Sequence, residues 1–269
     1  MSLVVTILIV LAAGGLAALA LALVRRATGG PLLADSGRGR PMIQVTGTVF
    51  AVVLAFVILA AFQTYNDAKT GAESEAAAVL DMARTANLFP PTQRDRLRAD
   101  FLCYGRAVVD QEWPAMRNGR SSPLVDHWIE EYRAAFKRFD LRSARQRIGL
   151  QELLTLADTR TAGRLQRLSD ATPTVPTPLW LALIFVGCMA VALQLGMVDP
   201  RERLRVQGSM IAAMASVVAA GLLIVYFLDH PYQGHLGDLE PAAMRRTVVL
   251  IENLDANLPA RCDVSGRPV

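Results

Sequence analysis

The chain has 269 residues, of which 52% are hydrophobic and 19% charged, and its formal net charge at pH 7 is +4. The basic residues form no concentrated patch of the kind that holds a phosphate backbone, which excludes a nucleic-acid-binding protein. No GxSxG, HExxH, Walker-type or GxGxxG motif occurs, and the three cysteines show no CxxC or Cys/His ligand spacing. The sequence therefore predicts no enzyme, no cofactor and no metal site.

Four stretches of 20 or more residues contain no Asp, Glu, Lys, Arg or His: residues 3–24, 43–62, 179–198 and 206–228. A helix needs about 20 apolar residues to cross a hydrocarbon core ~30 Å thick, and it satisfies its own backbone hydrogen bonds there. These stretches predict an all-α membrane protein with four transmembrane helices. The first stretch has no basic residue ahead of it and is longer than the apolar part of a usual signal peptide, so we expect a retained helix.

The second transmembrane helix is predicted to continue well beyond its apolar part. From Gln63 onward the chain is rich in Ala and Glu and contains no proline, which favours a helix to about Leu88. The sequence Phe89-Pro90-Pro91 then ends the helix, because proline cannot continue a helix interior.

An all-helical inserted domain is predicted between the second and third transmembrane helices. Apolar residues recur at helical spacing over three further segments, roughly 92–117, 124–138 and 141–168. The expected buried face of the last segment consists of Ile148, Leu153, Leu154, Leu156 and Leu165. The Arg and Glu runs of the domain are interpreted as solvated helix faces with i,i+4 pairing.

The residues after the fourth transmembrane helix are predicted to begin with a polar turn at 229–241 and to form a short helix over 242–257, before a frayed end. His230 and His235 lie five residues apart in that turn, and a metal pair would need Asp229 or Asp238 as further ligands. We favour the plain turn. A disulfide between the distant cysteines 103 and 262 is an alternative to free thiols.

This order of segments divides the chain into four predicted parts. They are 1–65 with transmembrane helices one and two, 66–178 as the extramembrane helical domain, 179–228 with transmembrane helices three and four, and 229–269 as a C-terminal tail.

One stripe of the second transmembrane helix is a candidate for pore lining. Thr48, Val52 and Phe56 are spaced at i, i+4 and i+8, so they share one face of a helix. Such a face can contact lipid, sister helices or a pore, and hydrophobic constrictions can gate a pore by dewetting. The transmembrane stretches carry no charge, which argues against a pump or a proton-coupled transporter.

Two short segments carry a resemblance to a known family. The first is LAFVILAAFQTYNDAK at 54–69, and the second is HPYQGHLGDLEP at 230–241. They resemble the second-helix signature and the Pro-rich, Asp-containing segment of bestrophins, and the order of spans and insert agrees. The chain as a whole resembles the bacterial bestrophin-like family. The matching positions include Phe62, Asp67, Lys69, Pro231, Gly234 and Asp238.

The resemblance implies a function as well as a fold. Bestrophins are pentamers whose second helices line an anion pore, so the resemblance implies a homo-oligomer in the bacterial plasma membrane that conducts small anions passively. Thr48, Val52 and Phe56 would line this pore. The family's arginine and asparagine are replaced by Val57 and Leu59, which keeps a rival open: a membrane-anchored helical sensing or partner-binding module without a pore.

The side of the membrane that the inserted domain faces is left open by the sequence. The resemblance implies that the domain and both termini lie in the cytoplasm. The two short loops, 25–42 and 199–205, hold seven arginines, and the opposite side holds seven basic residues near the span ends. Basic residues favour the cytoplasmic side, so this count does not decide, although the adjacent pair Arg25-Arg26 favours short loops inside.

Overall fold

A computed structural model describes residues 2–28, 36–139, 141–197, 202–234, 237–255, 258–259 and 261–269, with the backbone alone for residues 28 and 36–40. Within these ranges the chain is helical, and the one β-type pairing is an isolated bridge between Cys262 and Pro268. The helices are α1 (Leu3–Thr28), α2 (Ser36–Thr85), α3 (Pro91–Ala107), α4 (Trp113–Met116), α5 (Pro123–Lys137), α6 (Ala144–Ser169), α7 (Thr177–Gly196), α8 (Leu204–Asp229) and α9 (Ala242–Leu254).

The predicted fold class is confirmed. Four helical stretches are long and apolar enough to cross a membrane: Leu3–Ala27, Pro41–Leu88, Thr177–Gly196 and Leu204–Asp229. Their mean hydropathy lies between 2.2 and 2.8. Helices α3 to α6 follow the second stretch and precede the third, so the insert is helical as predicted.

Local sequence explains where the long helices begin and end. Helix α2 tightens into a 3₁₀ turn at Ala86–Leu88 and stops before Pro90, as the proline pair predicts. Helix α6 begins at Ala144 because Ser143 forms a capping box with Gln146. The Ser143 hydroxyl accepts from the Gln146 amide at 3.2 Å, and the Gln146 side chain accepts from the Ser143 amide at 3.1 Å.

The chain forms two compact units. The membrane unit consists of Met1–Thr64, Pro173–Asp229 and His235–Gly237, and the helical unit consists of Tyr65–Thr172, His230–Gly234 and Asp238–Val269.

The membrane unit is held together by close helix packing. Helix α1 packs on α8, where a Cβ added at Gly14 would lie 2.6 Å from the Ser216 hydroxyl and 3.0 Å from the Ala212 carbonyl oxygen. The same Ser216 hydroxyl donates to the Val10 carbonyl at 3.2 Å. Small residues allow helices in lipid to approach this closely.

The end of α8 is tied to the residues that precede α7. Asp229 is buried, and its Oδ1 atom accepts from the backbone amides of Thr174 at 2.8 Å and Val175 at 2.9 Å. The Thr174 hydroxyl donates to the same oxygen at 3.2 Å. This carboxylate therefore fixes the entry into α7 from the end of α8.

The helical unit has an aromatic core, and one predicted face was wrong. Its largest fully buried side chains include Phe101, Tyr104, Trp128 and Tyr132. On α6, Leu153 is buried as predicted and Leu156 is partly buried. Ile148, Leu154 and Leu165 are 64%, 50% and 62% exposed, because α6 instead turns its small residues and its arginines towards the core.

The C-terminal segment 261–269 is docked and not frayed, which corrects the prediction. The Trp128 indole donates to the Gly266 carbonyl at 2.7 Å. Gly266 adopts a positive φ of 80°, and a Cβ there would lie 2.5 Å from the backbone nitrogen of Ala107. Only glycine fits this approach without strain. A disulfide joins Cys262 to Cys103, so of the two predicted alternatives for these cysteines the structure has the disulfide.

Candidate functional site

The three predicted pore-lining residues lie on the open face of α2. Thr48, Val52 and Phe56 are all exposed in the single chain, and Phe56 is 68% exposed. The opposite face of the helix carries the buried residues Phe50 and Val57. The stripe is therefore the face that the membrane unit leaves uncovered, and its assignment to a pore remains a prediction.

The open stripe continues along α2 with large apolar side chains. Leu59 is 53% exposed and Phe62, one of the motif residues, is 48% exposed. Val45, at 62% exposed, extends it in the other direction, and Val49 beside Thr48 is 46% exposed. An apolar band of this length on one chain must be covered by lipid, by another protein chain or by a pore.

Hydrogen bonds join the described residues of the second motif that belong to the helical unit, 230–234 and 238–241. Gly234 has a positive φ of 79°, which suits glycine, and its amide donates to the Asp238 carboxylate. The Leu239 amide donates to the Pro231 carbonyl at 2.8 Å and closes the turn. The Trp113 indole donates to the Leu239 carbonyl at 2.9 Å, so the turn is anchored on the residue after Glu112. His235 lies outside the described residues.

Two motif residues from distant parts of the sequence line one pocket. Lys69 of the first motif and Asp238 of the second both border a pocket of about 500 Å³ in the helical unit. Glu73, Glu240 and Arg246 add further charges of both signs. Asp67 is exposed on α2 and is not among the residues lining this pocket.

Sequence reasoning missed the most charged part of the helical core. We call Glu75, Glu112, Arg164 and Arg167 the buried ion cluster. Arg167 contacts Glu75 through Nε and Oε2 at 2.6 Å and contacts Glu112 through Nη2 and Oε2 at 2.6 Å. Arg164 contacts Glu112 through Nη2 and Oε1 at 2.5 Å. Asp126 is half exposed and lies at the edge of the cluster. Its Oδ1 atom is 2.7 Å from Nη1 of Arg164.

Aromatic residues surround the buried ion cluster. The Tyr104 hydroxyl donates to Glu75 at 2.5 Å, and the guanidinium of Arg167 lies 5.2 Å from the ring centre of Trp113. Arg160 lies 5.4 Å from the Tyr104 ring centre and donates to the Tyr132 hydroxyl. Cation–π contacts of this kind stabilise a guanidinium that has lost its water.

Glu112 and Arg167 of the cluster each hold the other in its charged form. Burial by itself raises the pKa of Glu112, but the charge of Arg167 and the hydrogen bonds from Arg164 outweigh burial and hold that pKa below its usual value. Burial lowers the pKa of Arg167, yet the charges of Glu75 and Glu112 raise it overall. Each charge is thus matched by an opposite one, as buried ions require.

Two local features of the sequence build the cluster. The chain widens into a π-helical turn at Val108–Glu112, which directs Glu112 into the core. On α6, Arg160, Arg164 and Arg167 follow each other at i, i+4 and i+7 and so share one face. Leu153 lies on the same buried side, and this alignment was the signal that could have revealed the burial of the arginines.

The described residues offer no group of three or more His, Cys, Asp or Glu side chains that could hold a metal ion. The buried ion cluster consists of paired ions held at hydrogen-bond distance. Its arrangement suits a structural role that fixes α2, α5 and α6 against the turn around Glu112.

The apolar helices, the helical insert and the closed turn define a multi-pass, all-helical membrane protein. The model of the bestrophin-like domain matches residues 8–237. The chain therefore belongs to the bestrophin-like domain family, which confirms the resemblance predicted from its two motifs.

Solved structures agree on the fold. A single-residue mutant of a bacterial bestrophin homolog from Klebsiella pneumoniae is 13% identical and superposes with a TM-score of 0.69, over 94% of this chain and 99% of that chain. A second structure of a bacterial bestrophin homolog from Klebsiella pneumoniae is 14% identical with a TM-score of 0.67, over 96% of this chain and 100% of that chain. No curated protein matched the chain.

Proposed function

We propose that this chain assembles with copies of itself into a ring, a pentamer, that conducts small anions passively across the bacterial plasma membrane. Helix α2 of each subunit lines the pore in this proposal. Thr48, Val52 and Phe56 are the residues that face the permeating ion. Membership of the bestrophin-like family and the fold likeness to a bacterial bestrophin homolog support the proposal.

The open stripe on α2 is the observation that carries the proposal. Phe50 and Val57 point into the membrane unit, whereas Phe56 is 68% exposed. In a ring with α2 at the centre, the exposed side chains fall on the axis and Phe56 forms the narrowest apolar ring. Hydrophobic constrictions of this kind can gate a pore by dewetting.

Anion preference has to come from dipoles, because the apolar part of α2 is uncharged. Residues 43–62 contain no Asp, Glu, Lys, Arg or His. Hydroxyl groups such as that of Thr48, the positive edges of the Phe56 rings and helix-end dipoles remain as sources of weak positive potential. Weak binding of this kind suits passive conduction and not pumping.

Exposed apolar side chains on the helical unit support a homo-oligomer. Leu154 and Leu165 are 50% and 62% exposed on α6, and they lie three helical turns apart on one face. Val249 and Leu250 of α9 are 54% and 43% exposed. A neighbouring copy of the chain would cover these side chains in the proposed ring.

Chloride flux into liposomes tests the proposal. Purified full-length protein is reconstituted, its mass is measured in detergent by light scattering, and flux is compared with empty vesicles. We expect a ring-sized mass and flux above the background. The substitution Phe56→Ala should raise the flux by widening the constriction, whereas Leu153→Val, inside the helical core, should leave the flux per folded protein unchanged.

The rival is a membrane-anchored sensing or partner-binding module, and the pocket between Lys69 and Asp238 favours it. A pocket of about 500 Å³ with charges of both signs is large enough for a small polar ligand. A folded monomer or dimer without chloride flux would support this rival and overturn the pore.

A further inference from the structure

Ion pairs and hydrogen bonds flank the disulfide between Cys103 and Cys262. Arg261, next to Cys262, pairs with the fully buried Asp100 and contacts Glu131 at 3.0 Å. On the other side of Cys262, Arg106 donates to the Asp263 carbonyl at 3.1 Å. These contacts join the C-terminal segment to α3 and α5 on both sides of the disulfide.

The cysteines themselves are buried and close. Cys103 and Cys262 are 1% and 3% exposed, and their Cα atoms lie 5.8 Å apart, within the usual range for a disulfide. Among the described residues they belong to no group of three His, Cys, Asp or Glu side chains, so a metal site does not explain the pair. Structural disulfides form and persist on the oxidising side of a membrane and are rare in the reducing cytosol.

Charge in the loops on the opposite side gives an independent indication. Residues 25–42, which link the first two apolar stretches, carry four arginines against one acidic residue, and residues 199–205, which link the last two, carry three arginines against two. Basic residues in short loops mark the cytoplasmic side, whereas inserts longer than about 60 residues cross largely regardless of their charge. The insert at 66–178 is longer than this limit, so the charge of the two short connections indicates the orientation in the membrane.

The basic residues of the insert have a different explanation. Arg160, Arg164 and Arg167 are 2%, 9% and 0% exposed and serve the helical core. Without these three, four of the seven basic residues near the span ends remain on that side, against seven arginines in the two short loops. The equal counts of seven basic residues on each side therefore become four against seven, which favours the short connections on the cytoplasmic side.

We propose that the helical unit and both chain ends lie on the oxidising, extracytoplasmic side, and that the two Arg-rich loops lie in the cytoplasm. This orientation is opposite to the one that the family resemblance implies. There the Cys103 and Cys262 thiols lose two protons and two electrons and form one S–S bond. A thiol oxidase of that compartment, which carries a disulfide, accepts the two protons and two electrons and is reduced to its dithiol. The proposal does not depend on the existence of a pore.

Thiol labelling of the full chain in intact bacteria tests the orientation. In a Cys188→Ala background, Ser121→Cys adds an exposed thiol to the helical unit and Glu202→Cys adds one to a short loop. A membrane-impermeant maleimide should label Ser121→Cys in intact cells and Glu202→Cys only after lysis. The reverse pattern would overturn the proposal.

The bond is tested in the same cells. The cells are lysed directly into denaturant that contains a maleimide, so that buried free thiols are blocked as well; the protein is then reduced, and newly released thiols are tagged by mass. The Cys188→Ala chain should gain two tags only after reduction, and a further Cys103→Ser substitution should abolish both. Two thiols that are blocked before reduction in the Cys188→Ala chain would overturn the disulfide and with it the compartment assigned from it.

Discussion

The membrane unit and the helical unit solve the problem of packing helices in opposite ways. In the membrane unit, α1 meets α8 through Gly14 and Ser216, and the Ser216 hydroxyl donates to the Val10 carbonyl. In the helical unit, α2 and α6 meet across fully buried Glu75 and Arg167. Lipid offers helices little hydrophobic gain for associating, so close contact of small residues has to hold them together.

The helical unit can bury charges because each ion finds its partners within one rigid core. A buried ion pair stabilises a fold only when its desolvation is offset by good geometry and further hydrogen bonds. Glu112 receives Arg164 and Arg167 together, and Glu75 receives Arg167 and the Tyr104 hydroxyl. The comparison therefore predicts that single substitutions are most damaging in the buried ion cluster.

Removal of one ion from the cluster should have the largest effect. Glu112→Ala leaves Arg164 and Arg167 with an unmatched buried charge, and we expect a loss of about 3–5 kcal/mol in the free energy of unfolding. Thermal unfolding in detergent measures it. Arg84→Ala, which breaks an exposed pair with Asp81, is the matched control and should change stability by about 1 kcal/mol or less. Equal effects would contradict the distinction between the core and the surface of the helical unit.

Two neighbouring glycines of α1 test how closely helices pack in the membrane unit. A Cβ at Gly14 would press on Ser216 and the Ala212 backbone, whereas one at Gly15 meets nothing within 4 Å. Gly14→Ala should lower stability by about 1–3 kcal/mol through overpacking, and Gly15→Ala should be neutral or mildly stabilising. Thermal unfolding of both variants checks this. A larger loss for Gly15→Ala would contradict packing of α1 on α8 through Gly14.

Asp100 should give the helical unit a modest pH dependence. Burial raises its pKa to about 6 despite the charges of Arg261 and Arg96. The folded chain therefore binds a proton between about pH 4 and 6 that the unfolded chain releases, so stability rises as pH falls through this window, by at most about 1.4 kcal/mol per pH unit.

Unfolding temperatures between pH 4 and 7 measure this contribution. Asp100→Asn cannot titrate, and its unfolding temperature should show a smaller rise on acidification than that of the unmodified chain. Parallel curves for the two proteins would show that Asp100 titrates equally in the folded and unfolded states.

The sequence predicts the membrane part of the fold well because its signal is direct. Uninterrupted apolar stretches need a hydrocarbon environment, and Pro90 and Pro91 end α2 for local steric reasons. The two motif segments predict the family, which the domain match confirms. None of these inferences depends on which distant residues come together.

The helical core was harder to predict because its acidic residues have no local sign of burial, and because the arginines of α6 show only their alignment with Leu153 on one face. Glu112 looks like an ordinary surface charge in the sequence, but it lies at the end of a π-helical turn, where it faces Arg164. The docking of the C-terminal segment likewise depends on the close approach of Gly266 to Ala107, which is a contact between distant parts of the chain. Long-range contacts of this kind leave no periodic pattern in the sequence.

Thiol modification of the α2 stripe tests the proposed pore most directly. In a Cys188→Ala background, Phe56→Cys places a thiol on the exposed face of α2, and Val57→Cys places one on the buried face. A bulky methanethiosulfonate reagent added to proteoliposomes should reduce chloride flux severalfold for Phe56→Cys and leave it unchanged for Val57→Cys. Measurable flux that is unaffected by modification of Phe56→Cys would contradict a pore lined by this face of α2.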